Sequence, residues 1–198
     1  MHGVASFDQS AKEEPEGITA TPDGATYVSF KSAQQVVRVD PDGSYHVVAT
    51  LPGQSSGIGG LIGLTSTGDG TILGALKNDD PQYNGVWAIQ PDGKTSRVAA
   101  LPTSAFPNDL ALAEDGNSVL VTDSFGPHIY RVDLADGKTD VWLENKVLAA
   151  PADAPPEGPV GANGIAFRTP DEVVIANTTA NTMSACRSTT TAAPVRRR

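Results

Sequence analysis

The chain has 198 residues, enough for one domain with a real core, and its 20 Gly, 15 Pro and 6% aromatic content describe many turns rather than long helices. A formal net charge of -9 argues against a nucleic-acid partner, since phosphate binding needs clustered Lys and Arg, and the basic cluster Arg196-Arg197-Arg198 stands alone. One cysteine, Cys186, excludes an internal disulfide framework and a cysteine zinc site, and no apolar run approaches the roughly 20 residues that span a bilayer. Acidity by itself serves solubility and does not imply a metal.

The opening MHGVASFDQS has neither a charged n-region nor an apolar h-region, so no signal peptide is legible and the compartment stays open. A first unit, EGITATPDGATYVSF, begins at Glu16 and recurs as IGLTSTGDGTILGAL from Ile62, NDLALAEDGNSVLVTDS from Asn108 and NGIAFRTPDEVVIANT from Asn163. The second residues of these anchors, Gly17, Gly63, Asp109 and Gly164, are spaced by 46, 46 and 55. An Asp-Gly turn follows at a fixed offset in the first three (Asp23-Gly24, Asp69-Gly70, Asp115-Gly116), and the fourth keeps Asp171 but loses the glycine. Second turns stand at Asp42-Gly43, Asp92-Gly93 and Asp136-Gly137. Asp-Gly between apolar runs is a strong hairpin signal, because glycine accepts positive φ and aspartate tolerates it.

Each unit therefore reads as four short strands; in the third they are Leu110–Ala113, Ser118–Thr122, Ile129–Asp133 and Thr139–Leu143. Four strands in a period of about 40 to 50 residues are the signature of a β-propeller blade. A β-sandwich also alternates strands and turns, but gives no reason for a repeated spacing of 46. Two insertions, Gln54–Gly60 and Ala149–Gly161, fall where propellers place face loops, and such loops commonly carry sites.

After Asn181 the repeat stops: TMSACRSTTTAAPVRRR shows no alternation and no turn residue but Pro194. One reading is a disordered terminus. The other is a shift of reading frame, because Val-Gly-Val-Pro-Val-Asp-Asp-Asp-Gly-Ser in GC-rich codons, read in a neighbouring frame, gives SACRSTTTAA. The expected organisation is an N-terminal segment over 1–15, blades over 16–182 with units starting near 16, 62, 108 and 163, and a tail over 183–198. The fold class is all-β, a propeller of four-stranded blades that is incomplete, with about four blades. Unclosed, it would leave Ile165, Phe167, Val173 and Ile175 partly uncovered and free to self-associate through open blade edges.

The anchors Glu16-Gly17, Asn108-Asp109 and Asn163-Gly164, with the strand ends Thr122–Ser124 (TDS) and Ala176–Thr178 (ANT), resemble the SMP-30/gluconolactonase/LRE-like family over about residues 14 to 182. Single blade motifs are shared with virginiamycin B lyase-like and strictosidine synthase-like proteins; the order Glu, Asn, Asn is more specific. The resemblance implies a six-bladed propeller with a divalent cation, often calcium, in its channel, and hydrolysis of lactones or similar esters. Carried over, Glu16 and Asn163 match the metal ligands and Asn108 a residue facing the substrate. The family's general-base Asp has no match, since its blade would follow Asn181. An oxygen-only donor set suits calcium, which could polarise a lactone carbonyl. Each residue also has a plain reading: Glu16 as a solvated loop acid, Asn108 and Asn163 as turn residues.

Other signals are weaker. Gly53-Gln54-Ser55-Ser56-Gly57 matches G-x-S-x-G, but the glycines that follow oppose the helix a nucleophile elbow needs. The same stretch fails the dinucleotide-binding and Walker patterns. His2, His46 and His128 lack metal-ligand spacing; His46 is read as solvent-facing, and His128 as a loop residue that could touch a substrate. Trp87 and Trp142 are read as packing, and Asn177-Thr178-Thr179 as a glycosylation sequon only in a secreted chain. Two functions stay in play: a calcium-dependent lactonase acting on a small molecule, without activity in this incomplete chain, and a non-catalytic propeller that binds a ligand or protein through its face loops. Neither involves nucleic acid or a membrane.

Overall fold

The computed structural model describes residues 4–55, 57–154 and 158–187. Among these residues fifteen antiparallel strands form four sheets, each a meander in chain order. Blade 1 holds β1 (Pro15–Ala20), β2 (Thr26–Phe30), β3 (Gln35–Val39) and β4 (Tyr45–Thr50). Blade 2 holds β5 (Gly60–Ser66), β6 (Ile72–Lys77), β7 (Gly85–Ile89) and β8 (Thr95–Ala100). Blade 3 holds β9 (Pro107–Leu112), β10 (Ser118–Asp123), β11 (His128–Asp133) and β12 (Thr139–Glu144). Blade 4 has three strands among the described residues, β13 (Ala162–Thr169), β14 (Glu172–Asn177) and β15 (Thr182–Arg187). The first strands neighbour one another in the order β1, β5, β9, β13, which makes them the inner ring of a β-propeller. The remaining regular structure among the described residues is two short 3₁₀ turns, Gln9–Ala11 and Lys146–Leu148, and no described helix is long and apolar enough to cross a membrane.

The expected hairpins stand at the Asp-Gly pairs, whose six glycines take φ of 70–87°. In the first turns the aspartate is also fixed by a threonine two residues earlier: Thr21, Thr67 and Thr169 donate their hydroxyls to Asp23, Asp69 and Asp171. Those hydroxyl bonds are the main reason the three carboxyls lie below the usual range.

The core is a series of layers between blades. Val36, Ala49 and Leu51 of blade 1 meet Leu61, Leu64, Ile72 and Trp87 of blade 2. Ala75, Val86 and Leu101 of blade 2 meet Leu110, Val121 and Tyr130 of blade 3. Blade 3 in turn contributes Ala111, Leu120 and Ile129 against Ile165, Val173 and Ile175 of blade 4. The expectation that Ile165, Phe167, Val173 and Ile175 stand uncovered is therefore corrected: they form the face turned to blade 3. The opposite face of blade 4 carries the smaller, more exposed Ala166, Val174 and Ala176.

The expected break after Asn181 also moves. Thr182–Arg187 pairs with β14 in unbroken register from Glu172↔Arg187 to Asn177↔Thr182. Backbone bonding does not need an apolar alternation, and two side chains add to it: Cys186 packs on the blade 3 layer and Arg187 pairs with buried Glu172. The rest of the expected tail, 188–198, lies outside the described residues.

Candidate functional site

Every inner strand breaks register at the same place. Pairing to the second strand is interrupted between Pro15 and Ile18, between Leu61 and Leu64, between Pro107 and Leu110, and between Ala162 and Ile165. The residues in the gaps are the four anchors, Glu16-Gly17, Ile62-Gly63, Asn108-Asp109 and Asn163-Gly164. A bulge of this kind re-aims side chains and is common beside active sites. The three expected site residues thus occupy one equivalent position on the inner ring.

Close approach explains the second residue of the pair. A Cβ on Gly17 would stand 2.4 Å from the Ile62 carbonyl oxygen of blade 2, and one on Gly63 2.6 Å from that of Asn108. The anchors are then stitched across blades by hydroxyls of the second strands. Ser29 accepts from the Gly17 amide and donates to the Ile62 carbonyl at 2.6 Å. Thr122 accepts from the Asp109 amide and donates to the Asn163 carbonyl at 2.7 Å.

Asn108 is buried, and its Nδ2 lies 2.9 Å from Ser124 Oγ. Ser124, itself fully buried, donates its one hydroxyl proton to the Ala162 carbonyl at 2.7 Å, so it must accept from Asn108. This fixes the amide: the NH2 end faces Ser124, and Oδ1 turns away with no protein partner among the described residues. Asn163 is half-buried and donates Nδ2 to Thr178 Oγ1 at 2.8 Å, which likewise leaves its oxygen available. Glu16 is exposed and makes no hydrogen bond or ion pair among the described residues. Asn108 and Asn163 are joined through Ser124 and Thr122 on adjacent strands, whereas blade 2, with buried Ile62 at its anchor, separates Glu16 from them.

In the sequence Asp109, Thr122 and Ser124 are visible only as parts of the repeated motifs, with no role of their own. Asp109 stands where the other blades have glycine, a departure visible in the repeat itself. Its Oδ2 accepts from the Ile165 amide at 3.0 Å, a direct bond from blade 3 to blade 4, and burial pushes its carboxyl above the usual range. Among the described residues no three His, Cys, Asp or Glu side chains gather into a metal cluster. A cation on this ring would rest on one carboxylate with amide and water oxygens, a set suited to a hard ion.

The remaining candidates resolve plainly. Ser55 is pinned, its Oγ within hydrogen-bond distance of both Gln34 Oε1 and the Lys77 carbonyl oxygen, and β5 rather than a helix is the next described element; Ser56 and His2 lie outside the described residues. His128 is no loop residue but opens β11, with Nδ1 buried 3.6 Å from Asp123 Oδ2 and not hydrogen-bonded among the described residues. His46 is exposed beside Asp40, and Trp87 is buried with Nε1 bonded to the Tyr83 carbonyl. Asn177 is buried, and its Nδ2 is spent on the Val147 and Ala149 carbonyls, so the folded chain does not offer this sequon.

The class these features define is the β-propeller. No protein-family profile matches the chain, and no curated protein does. Solved structures match well. A PQQ-bound aldose sugar dehydrogenase from Streptomyces coelicolor aligns with TM-score 0.68 at 17% identity, over 95% of this chain and 63% of that one. A gluconolactonase from Xanthomonas campestris aligns at 0.64 and 14% identity, over 88% and 58%. A catalytically inactive H270A virginiamycin B lyase from Staphylococcus aureus, with quinupristin, aligns at 0.62 and 20% identity, over 90% and 57%. At these identities the likeness is one of fold, and the chain spans 57% to 63% of these three proteins.

Proposed function

We propose that the chain carries part of the inner-ring site of a six-bladed propeller hydrolase of the SMP-30/gluconolactonase type, acting on a lactone or related ester with calcium. Glu16 and Asn163 would hold the cation, and Asn108 would face the substrate. The observation that carries this reading is the locked amide of Asn108: the proton economy of Ser124 leaves Oδ1 as a fixed, unpaired acceptor on the inner ring. Asn108 Oδ1 is not among the fully buried unpartnered atoms, so water, a cation or a ligand donor can meet it. When bound, calcium supplies Lewis acidity toward a carbonyl oxygen. Asn108 Oδ1 can orient a substrate hydroxyl, and the interblade hydroxyls keep the two amides in register with one another. The gluconolactonase among the structural neighbours supports this reading.

A second reading is favoured by one observation. The carboxylate nearest Asn108 on the ring, Asp109, is already bonded to the Ile165 amide, so the four described blades offer no free base beside it. On that reading the ring binds a ligand without turning it over. Titration calorimetry with calcium chloride, followed by a screen of γ- and δ-lactones, separates the two. Binding that is lost in Glu16→Gln, together with turnover, supports the hydrolase; binding without turnover supports the ligand-binding propeller. No calcium heat in the intact chain would refute the metal site.

A further inference from the structure

Two Asn-Gly steps occur in the chain, Asn84-Gly85 and Asn163-Gly164. Asn-Gly is a chemically labile step, since glycine sets no side chain against the approach of its own amide nitrogen to the asparagine Cγ. The fold treats the two differently. Asn84 is fully buried and locked at both ends of its amide: Oδ1 accepts from the Asn78 amide at 2.9 Å, and Nδ2 donates to the Leu101 and Pro102 carbonyls at 3.2 and 2.7 Å. Gly85 is held in the ladder on both sides, opposite Leu76 and Ala100. The side-chain carbonyl cannot turn toward the Gly85 nitrogen without breaking these bonds.

Asn163-Gly164 lies instead in the bulge where pairing to β14 is interrupted between Ala162 and Ile165. Asn163 Nδ2 donates to Thr178 Oγ1, and that threonine is exposed, so the amine end of the side chain sits at water. The Gly164 amide differs from its counterparts as well. In blades 1 and 3 a hydroxyl of the second strand caps the amide at this step, Ser29 for Gly17 at 2.7 Å and Thr122 for Asp109 at 2.9 Å. The register places Ala176 at that position in blade 4, and alanine has no hydroxyl to offer. Asn108, in the equivalent bulge, serves as a contrast: it is buried, it is followed by aspartate, and the next amide is capped.

We infer that Asn163 is a self-modification site: in the folded chain it deamidates, and a neutral residue of the inner ring becomes a carboxylate. The Gly164 nitrogen bonds to Cγ of Asn163, and its proton leaves with Nδ2 as ammonia, which gives a five-membered succinimide. Water then opens either ring carbonyl. Attack at Cγ yields aspartate, and attack at the backbone carbonyl yields isoaspartate, with the main chain routed through the former side chain. Water is the sole co-reactant, and nothing is oxidised or reduced. The isoaspartyl product converts the carbonyl that accepts from Thr122 into the free carboxylate, so the stitch between blades 3 and 4 gains a charge. A cation held on the ring as proposed above would be bound more tightly; that consequence rests on the proposed function, whereas the modification does not.

The test is peptide mapping by mass spectrometry of the whole chain, one sample kept folded in mildly alkaline buffer and a second in urea. The expected result is conversion at Asn163 at least tenfold faster than at Asn84 or Asn108 in the folded sample. In urea, where only the shared Asn-Gly sequence matters, Asn84 and Asn163 should convert at similar rates. Gly164→Ala should slow the folded reaction about tenfold; a methyl there meets only Asp109 Oδ2, at 3.8 Å, so the fold accepts it. Ala176→Ser, which supplies the cap seen in blade 1, should slow the folded reaction several-fold and leave the rate in urea unchanged. An Asn163 that stays intact in the folded chain while it converts in urea, or folded rates equal at Asn84 and Asn163, would overturn the inference. So would an Ala176→Ser chain that deamidates as fast as the wild type.

Discussion

Removing one oxygen atom, by Ser124→Ala, tests the interblade stitching. Ser124 Oγ is the middle of a relay in which Asn108 Nδ2 donates at 2.9 Å and the Ala162 carbonyl accepts at 2.7 Å. The backbone bonds of Ser124, to the Phe106 carbonyl and from the Gly161 amide, are untouched by the change, and alanine fits the same space. The cost is then two buried polar groups without partners, at about 1–3 kcal/mol each; relaxation at one of them brings the total to about 2–4 kcal/mol. For a chain of this size 1 kcal/mol moves the melting temperature by about 2–4 °C, so the midpoint should fall by about 4–16 °C. Differential scanning calorimetry measures this, and a double-mutant cycle with Asn108→Ala isolates the shared bond. The two changes should be strongly non-additive, because either one alone breaks the relay. A fall below about 1 °C, or additive effects, would show that Asn108 is not held by Ser124 and that the fixed orientation of its amide is mistaken.

Other outcomes follow from the same ring. Asp109 has a carboxyl raised by burial, so its folded form favours the proton. The stability it contributes is complete below about pH 4, the unfolded value, and declines as pH rises through the folded value. Asp109→Asn keeps an acceptor for the Ile165 amide without the charge, so its melting temperature should gain on the wild type between about pH 4 and pH 7; a gap independent of pH would refute this. Gly17→Ala places a methyl 2.4 Å from the Ile62 carbonyl oxygen, where backbone must move, and urea titration should show a loss of about 1–3 kcal/mol. Thr122→Val keeps the shape but removes the donor to Asn163, and should cost about 1–3 kcal/mol by the same titration.

Much of this architecture was legible because it is local. Asp-Gly turns announce their hairpins, and the anchors recur because each inner strand bulges at the same step. What escaped the sequence is what depends on partners distant along the chain. Nothing near Thr182–Arg187 marks it as a strand; its pairing comes from β14, and its charge partner Glu172 is already buried. Ile165 and Val173 cannot show from sequence which blade face they occupy. The orientation of Asn108 depends on the single proton of Ser124, 16 positions away, and on a carbonyl 38 positions beyond that serine.

In the proposed site Glu16 and Asn163 hold a hard cation on the inner ring, and Asn108 turns its free oxygen to a substrate. Side-chain amide NMR of the 15N-labelled chain during a calcium chloride titration tests it most directly. A saturable shift of the Asn163 NH2 signals, abolished by Glu16→Gln, is expected, with the buried Asn84 and Asn177 amides unmoved. An Asn163 NH2 signal that stays unmoved throughout the titration, or one that shifts equally in Glu16→Gln, would contradict it.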